Sequence, residues 1–161
     1  MKWHKGVWSC NKIVMEFIGR YKHKIDKKGR VSVPSAFRKI LAEEYDNRVI
    51  ITNNKNWLEV FPYQVFRLRK ERIKALPPTL DVVEDYKLFH YGDAFEYEID
   101  ELGRLFIPIY LREEAHLGEE VILSGGDEIF SIWDLATFEQ EHERIKNNFA
   151  SIKKGIAQYG V

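Results

Sequence analysis

One cysteine in 161 residues, Cys10, leaves no second thiol for an intramolecular disulfide. That removes the disulfide-stapled secreted scaffolds and suits a reducing compartment. The five histidines (His4, His23, His90, His116, His142) are scattered without metal-ligand spacing, and a single thiol cannot build a zinc site. No run approaches the roughly 20 apolar residues that span a bilayer. Residues 1–14 mix Trp3, Val7 and Trp8 with Lys2, Lys5 and Lys12 and hold no apolar stretch of signal-peptide length. Gly125-Gly126-Asp127 lacks the lysine of a phosphate loop and reads as a hairpin turn, and no nucleophile elbow or triad pattern is present. These absences lead to the expectation of a cytoplasmic protein that is not an enzyme, with no catalytic residue, metal, cofactor, membrane or small-molecule substrate.

Net charge is missing too, since 25 Lys and Arg balance 25 Asp and Glu. The balance holds between regions rather than within them. Residues 1–39 carry 11 Lys/Arg against 2 Asp/Glu, a net of +9, and residues 81–134 carry 3 against 15, a net of −12. A basic and an acidic region on one chain suit a side that faces a polyanion and a side turned away from it. Random surface variation is the competing explanation.

What is present is a pattern written twice. Ile25-Asp26-Lys27-Lys28-Gly29-Arg30-Val31-Ser32-Val33-Pro34 returns 74 residues later as Ile99-Asp100-Glu101-Leu102-Gly103-Arg104-Leu105-Phe106-Ile107-Pro108. An amphipathic stretch follows each copy and ends in Phe37-Arg38 or Leu111-Arg112. Such a repeat means one supersecondary unit used twice. Each half alone buries too little surface for comfort, so the halves are expected to share one core. The expected organisation is an N-terminal extension over 1–14 outside the fold, a first repeat over 15–76, a linker helix over 77–89, and a second repeat with a C-terminal helix over 90–161. The extension is read as a mobile basic arm or a misassigned upstream start.

Residues 16–25 alternate as a strand, with Arg20, Lys22 and Lys24 on one face and Tyr21, His23 and Ile25 on the other. Residues 26–29 form a turn in which Gly29 supplies the positive φ of a tight loop. Val31 and Val33 point inward from a short strand, and Pro34 ends it and starts a helix over 35–45. Strands follow over 49–51 and 57–61, separated by a turn over 52–56, and then a basic helix over 63–76. The second half repeats this order: strands over 95–99, 105–107, 121–123 and 129–133, a helix over 109–116, and a C-terminal helix over 135–154 capped by Asp134. Trp57, Trp133, Phe61 and Phe138 are assigned to the core.

An Asp and an Arg four residues apart across a glycine turn can pair. If exposed, that pair contributes only about 0–1 kcal/mol, and holding the loop rigid is then its use: Asp26 orients Arg30, and Asp100 orients Arg104. A rigid basic hairpin can also enter the major groove of DNA, which admits a two-stranded ribbon. Arg30 would read guanine edges, and Lys27, Lys28, Lys22, Lys24 and Arg20 would neutralise phosphates. In the second copy Glu101-Leu102 replaces Lys27-Lys28, which makes it a poor phosphate contact.

Residues 15–38, residues 98–108 and Ser131-Ile132-Trp133-Asp134 resemble the MraZ family, bacterial regulators encoded at the head of the division and cell-wall gene cluster. The resemblance implies an α+β, β-rich fold: a tandem AbrB-like, swapped-hairpin β-barrel with flanking helices. It also implies a homo-oligomeric ring, a nucleoid-associated role, and binding of double-stranded DNA at short promoter direct repeats, with repression of the protein's own operon. It places the critical DNA contact on Arg30, and leaves Asp26, Gly29, Asp100, Gly103 and Arg104 as motif residues. Two alternatives remain open at this point: an AbrB-type transition-state or antitoxin regulator, and a ring-forming scaffold with no DNA role. Two further stretches also read two ways. The basic helix is a second nucleic-acid surface or a solvated face. Phe138, Ile145, Phe149, Ile152 and Ile156, spaced as a coiled-coil seam, pack on their own domain or on a neighbouring subunit.

Overall fold

The computed structural model describes residues 15–161, so the expectations for 1–14 lie outside the described residues. The first repeat supplies four strands and two helices, and the second four strands and three helices. In the first these are β1 (Arg20–Lys24), β2 (Arg30–Ser32), α1 (Ser35–Glu44), β3 (Arg48–Asn54), β4 (Trp57–Pro62) and α2 (Tyr63–Lys74). The link is α3 (Asp81–Tyr86) running into a π-helical turn, Lys87–Tyr91. The second repeat is β5 (Phe95–Glu98), β6 (Arg104–Phe106), α4 (Ile109–Glu114), β7 (Glu120–Gly126), β8 (Ile129–Asp134), α5 (Leu135–Asn147) and α6 (Phe149–Ala157).

The strand order explains why neither repeat is a domain by itself. An antiparallel sheet runs β1-β7-β8-β4-β3-β5, and β2 pairs with β6 in a separate ribbon. Exchanging the repeats (β1 with β5, β3 with β7, β4 with β8) returns the same order reversed. Each edge strand therefore belongs to one repeat and pairs with a strand of the other. From each edge an Asp-Gly turn leads the chain into the ribbon. Hydrogen bonding does not close the strands into one barrel, but the α+β class, the interleaved repeats and the flanking helices stand.

The core follows the same rule. Val31, Val33, Phe37, Leu41, Val49 and Ile51 from the first repeat pack in one cluster with Leu105, Ile107, Leu111, Val121, Leu123 and Phe130 from the second. Helix α1 buries Phe37, Ile40 and Leu41, the apolar stripe that its sequence spacing sets. We expect residues 15–79 alone to form no folded monomer, because β1 lacks β7, β2 lacks β6, and half the core is gone. Circular dichroism should show no cooperative melt for either isolated repeat at low concentration and recovery on mixing the two. A cooperative monomeric melt of one repeat would contradict shared folding.

Three expectations need correction. The turn assigned to 52–56 is shorter, because β3 continues to Asn54, with Thr52 opposite Glu59 and Asn53 opposite Leu58. The reversal rests on Lys55 at φ 57°. The single helix over 135–154 is broken at Asn148, whose φ of −110° and ψ of 7° leave the helical region; its predicted cap holds, with Asp134 accepting from the Thr137 N–H at 3.3 Å. Of the four aromatics assigned to the core only Phe61 is buried; Phe138 is half-buried against Trp133, and Trp57 and Trp133 are not core residues. They lie opposite one another on β4 and β8 and stack at 4.3 Å with their rings nearly parallel, half-exposed.

Thr52 and Asn53 are buried because they meet the inter-repeat link. The Thr52 hydroxyl donates to the His90 carbonyl. Asn53 Nδ2–H donates to Asp93 Oδ2 at 2.7 Å, and the His90 Nδ1–H donates to the Asn53 carbonyl at 2.9 Å. His90 lies among Phe61, Phe66, Tyr86 and Tyr91, with Nε2 3.9 Å from Glu59 Oε2. Burial pushes the His90 pKa down; the Asn53 carbonyl and Glu59 oppose that shift, and Arg69 adds to it. A base whose folded pKa is depressed is neutral when native and must charge on unfolding. Its contribution is therefore complete above the unfolded value near 6.5 and declines as pH falls below it. Between about pH 7.5 and about pH 5.5 the melting temperature of wild type should fall more than that of His90→Phe. His23, also depressed by burial, acts equally in both proteins and cancels. Parallel slopes would remove His90 from this role.

Among the described residues no helix is long and apolar enough to cross a membrane, and no group of three or more His, Cys, Asp or Glu side chains could hold a metal ion.

Candidate nucleic-acid interface

The two Asp-Gly turns have nearly superimposable chemistry. In the first, the Asp26 N–H donates to the Arg30 carbonyl at 2.8 Å and the Gly29 N–H to the Asp26 carbonyl at 3.0 Å. The Asp26 carboxylate accepts from the Lys28 N–H and the Arg30 N–H, both 2.9 Å, on Oδ1, and from Arg30 Nε–H at 2.8 Å on Oδ2. In the second, Asp100 Oδ1 accepts from the Leu102 N–H at 3.0 Å and the Arg104 N–H at 2.8 Å, and Oδ2 accepts from Arg104 Nε–H at 2.8 Å. The backbone N–H of Arg30, followed by the Arg30 side chain, holds the Asp26 carboxyl below the usual carboxylate range. Arg104 does the same for Asp100. Each arginine commits Nε to its aspartate, so its terminal nitrogens stay available for a two-pronged contact.

Glycine is required in both turns. Gly29 has φ 83° and Gly103 φ 73°, and both are buried. A Cβ on Gly29 would stand 3.0 Å from the Arg112 guanidinium and 3.1 Å from the Ile107 carbonyl, and one on Gly103 would run into the Arg38 side chain. The repeats thus clasp each other. The α1 arginine of the first covers the second turn, and the α4 arginine of the second covers the first turn. The glycine carbonyls complete the clasp, accepting from the Ile107 N–H at 2.8 Å and the Val33 N–H at 2.9 Å respectively.

The turn was expected to join the two strands of one basic ribbon. It does not. Beyond the Ile25–Val31 bridge, β1 departs to pair with β7 and β2 to pair with β6. The reason is the core: Val31 and Leu105 face each other across the ribbon and are both buried. Opposed residues share a face, so the outer face holds Arg30 opposite Phe106 and Ser32 opposite Arg104. The two arginines, 74 positions apart in sequence, become diagonal neighbours at roughly 7–8 Å between Cα atoms. Phe106 is fixed there by Phe95 and Tyr97, each at 6.1 Å.

The other predicted contacts divide. Lys27 and Lys28 are exposed on the first turn. Lys22 and Lys24 are exposed on β1, but each meets a glutamate from the second repeat: Glu120 at 3.1 Å and Glu119 at 3.9 Å. Arg20 lies over the Phe138 ring at 5.8 Å. The basic strand and the acidic region, far apart in sequence, are thus neighbours in the sheet. On the basic helix α2, Arg69 is drawn onto Phe61 at 4.9 Å and towards Glu59 at 3.9 Å, while Arg67, Arg72 and Lys74 stay exposed. Sequence reasoning missed Ser32 and Phe106 on the shared face and Arg38 and Arg112 as clasps. Their matched places in the two copies were the available signal.

The family model described as "MraZ protein, putative antitoxin-like" matches residues 17–79 and 90–158. A Transcriptional regulator MraZ of Alkaliphilus metalliredigens is 34% identical over 146 residues, covering 90% of this chain and 99% of that protein. One from Pediococcus pentosaceus is 31% identical over 146 residues with the same coverage, and one from Natranaerobius thermophilus is 30% identical over 145 residues, again covering 90% and 99%. With both repeats matched and relatives aligned almost end to end, this chain belongs to the MraZ family.

Proposed function

We propose that this chain is a sequence-specific DNA-binding transcriptional regulator of the cytoplasm and nucleoid, which represses its own operon in the division and cell-wall gene cluster. The observation that carries the reading is Arg30, held rigidly by Asp26 beside the exposed Lys27 and Lys28. The names of its relatives support the class. Arg30 reads base edges in the major groove, and Lys27 and Lys28 set the register on phosphates. Arg20 adds attraction to the backbone, and Lys22 and Lys24 reach phosphates by exchanging Glu120 and Glu119 for them. Asp100, Gly103 and Arg104 form the matching turn, whose Glu101 and exposed Leu102 keep it from a phosphate.

One turn reads few bases, so the reading includes a ring of identical chains that sets several turns on successive direct repeats, where linkage multiplies a weak contact. Tandem repeats on one chain favour this over a single-copy antitoxin-type regulator. Selection of bound fragments from random duplex DNA tests the class and the specificity together. Recovery of short direct repeats, with binding that falls steeply as salt rises, supports the proposal. No enrichment at low salt would favour a scaffold without a DNA role.

A further inference from the structure

The C-terminal helices are only partly used by the fold. Phe138 packs on Trp133 at 5.9 Å, but farther along the apolar face is bare: Phe149 is 53% exposed and Ile156 48%, with Ile152 between them. The link between the repeats carries a second bare patch, with Val82 70% and Leu88 79% exposed and Phe89 beside them. Its opposite face is spent on burying Val83 and His90.

The two patches differ in charge. Residues 149–161 hold Lys153 and Lys154 and no acid, whereas residues 81–93 hold Asp81, Glu84, Asp85 and Asp93 against Lys87 alone. They also stand on different parts of the sheet. The link packs on β3 and α5 packs on β7 and β8, and β3 is separated from those strands by β4. Two apolar faces of opposite charge, apart on one chain, suit a head-to-tail contact between copies better than a contact of either face with itself.

We infer that the α6 face of one copy docks on the α3 and π-turn face of the next, with Phe149, Ile152 and Ile156 against Val82, Leu88 and Phe89, and Lys153 and Lys154 towards Asp81 and Asp85. The inference rests on the ring in the proposed function and names its interface. Every copy offers one donor and one acceptor face, so the contact closes a ring when the rotation allows it.

The test uses Ile156→Asp and Val82→Asp, both at exposed positions, with circular dichroism as the folding control. Each variant alone should sediment as a monomer under conditions where wild type is an oligomer. Mixed, they should form a one-to-one dimer and stop there, because only one intact pair of faces remains. Oligomers of Val82→Asp that Ile156→Asp cannot form would mean that α6 pairs with itself and would overturn the inference, as would oligomers unmoved by both. A monomeric wild type would remove the ring along with it. If either aspartate variant unfolds, the chain carrying Cys10→Ser, Val82→Cys and Ile156→Cys decides. Oxidation should give a ladder of linked chains on a denaturing gel, and monomer alone would overturn the contact.

Discussion

Arg30→Ala is expected to lose specific duplex binding while keeping its fold. A bidentate arginine–guanine contact discriminates by about 1–3 kcal/mol, so each turn should lose roughly ten- to hundredfold in affinity, and linked turns more. Arg104→Ala is the informative control. It removes the same group from the same face of the β2–β6 ribbon, with the same aspartate clamp, from a turn that carries Glu101 and Leu102 in place of two lysines. Gel shifts at one fixed salt concentration should show a change of a few-fold at most for Arg104→Ala. Equal losses would make the ribbon a two-armed reader, and no loss from Arg30→Ala would end the assignment.

Phe37→Ala should be the most damaging single core change. Phe37 is fully buried and touches Phe17 and Tyr21 from its own repeat at 5.3 and 5.2 Å and Phe130 from the other at 5.1 Å. Truncating such a ring costs about 3–5 kcal/mol, a large share of the roughly 5–15 kcal/mol that holds a domain together. Denaturant titration should find this loss, against almost none for Lys39→Ala at an exposed position of the same helix. A loss below about 1 kcal/mol would mean that the inter-repeat core can collapse around the gap.

Much of this was legible locally. The repeat, the turn at Gly29, the inward Val31 and Val33, the helix begun by Pro34 and the cap at Asp134 all follow from residues within a few positions of each other. What was not legible was long-range. Nothing near Lys22 announces Glu120, and nothing near Arg30 announces Arg104, because both neighbours follow from β pairing across more than 70 residues. Thr52 and Asn53 read as turn formers, yet the link that carries His90 satisfies them and lets β3 continue. Trp57 and Trp133 read as core because they fall within strands, but stacked together at the register of β4 and β8 they satisfy one another nearer the surface.

The palindromic strand order has a consequence for how this chain can vary. An assembly with the same symmetry built from two identical chains would have to find its partner by diffusion, and every substitution would be printed on both sides of the axis. Joined head to tail by residues 75–94, the two halves meet at a rate independent of protein concentration, and each side can mutate alone. Lys27-Lys28 and Glu101-Leu102 occupy equivalent places in the two halves, so one polypeptide presents a cationic and an anionic version of the same loop at a fixed one-to-one ratio.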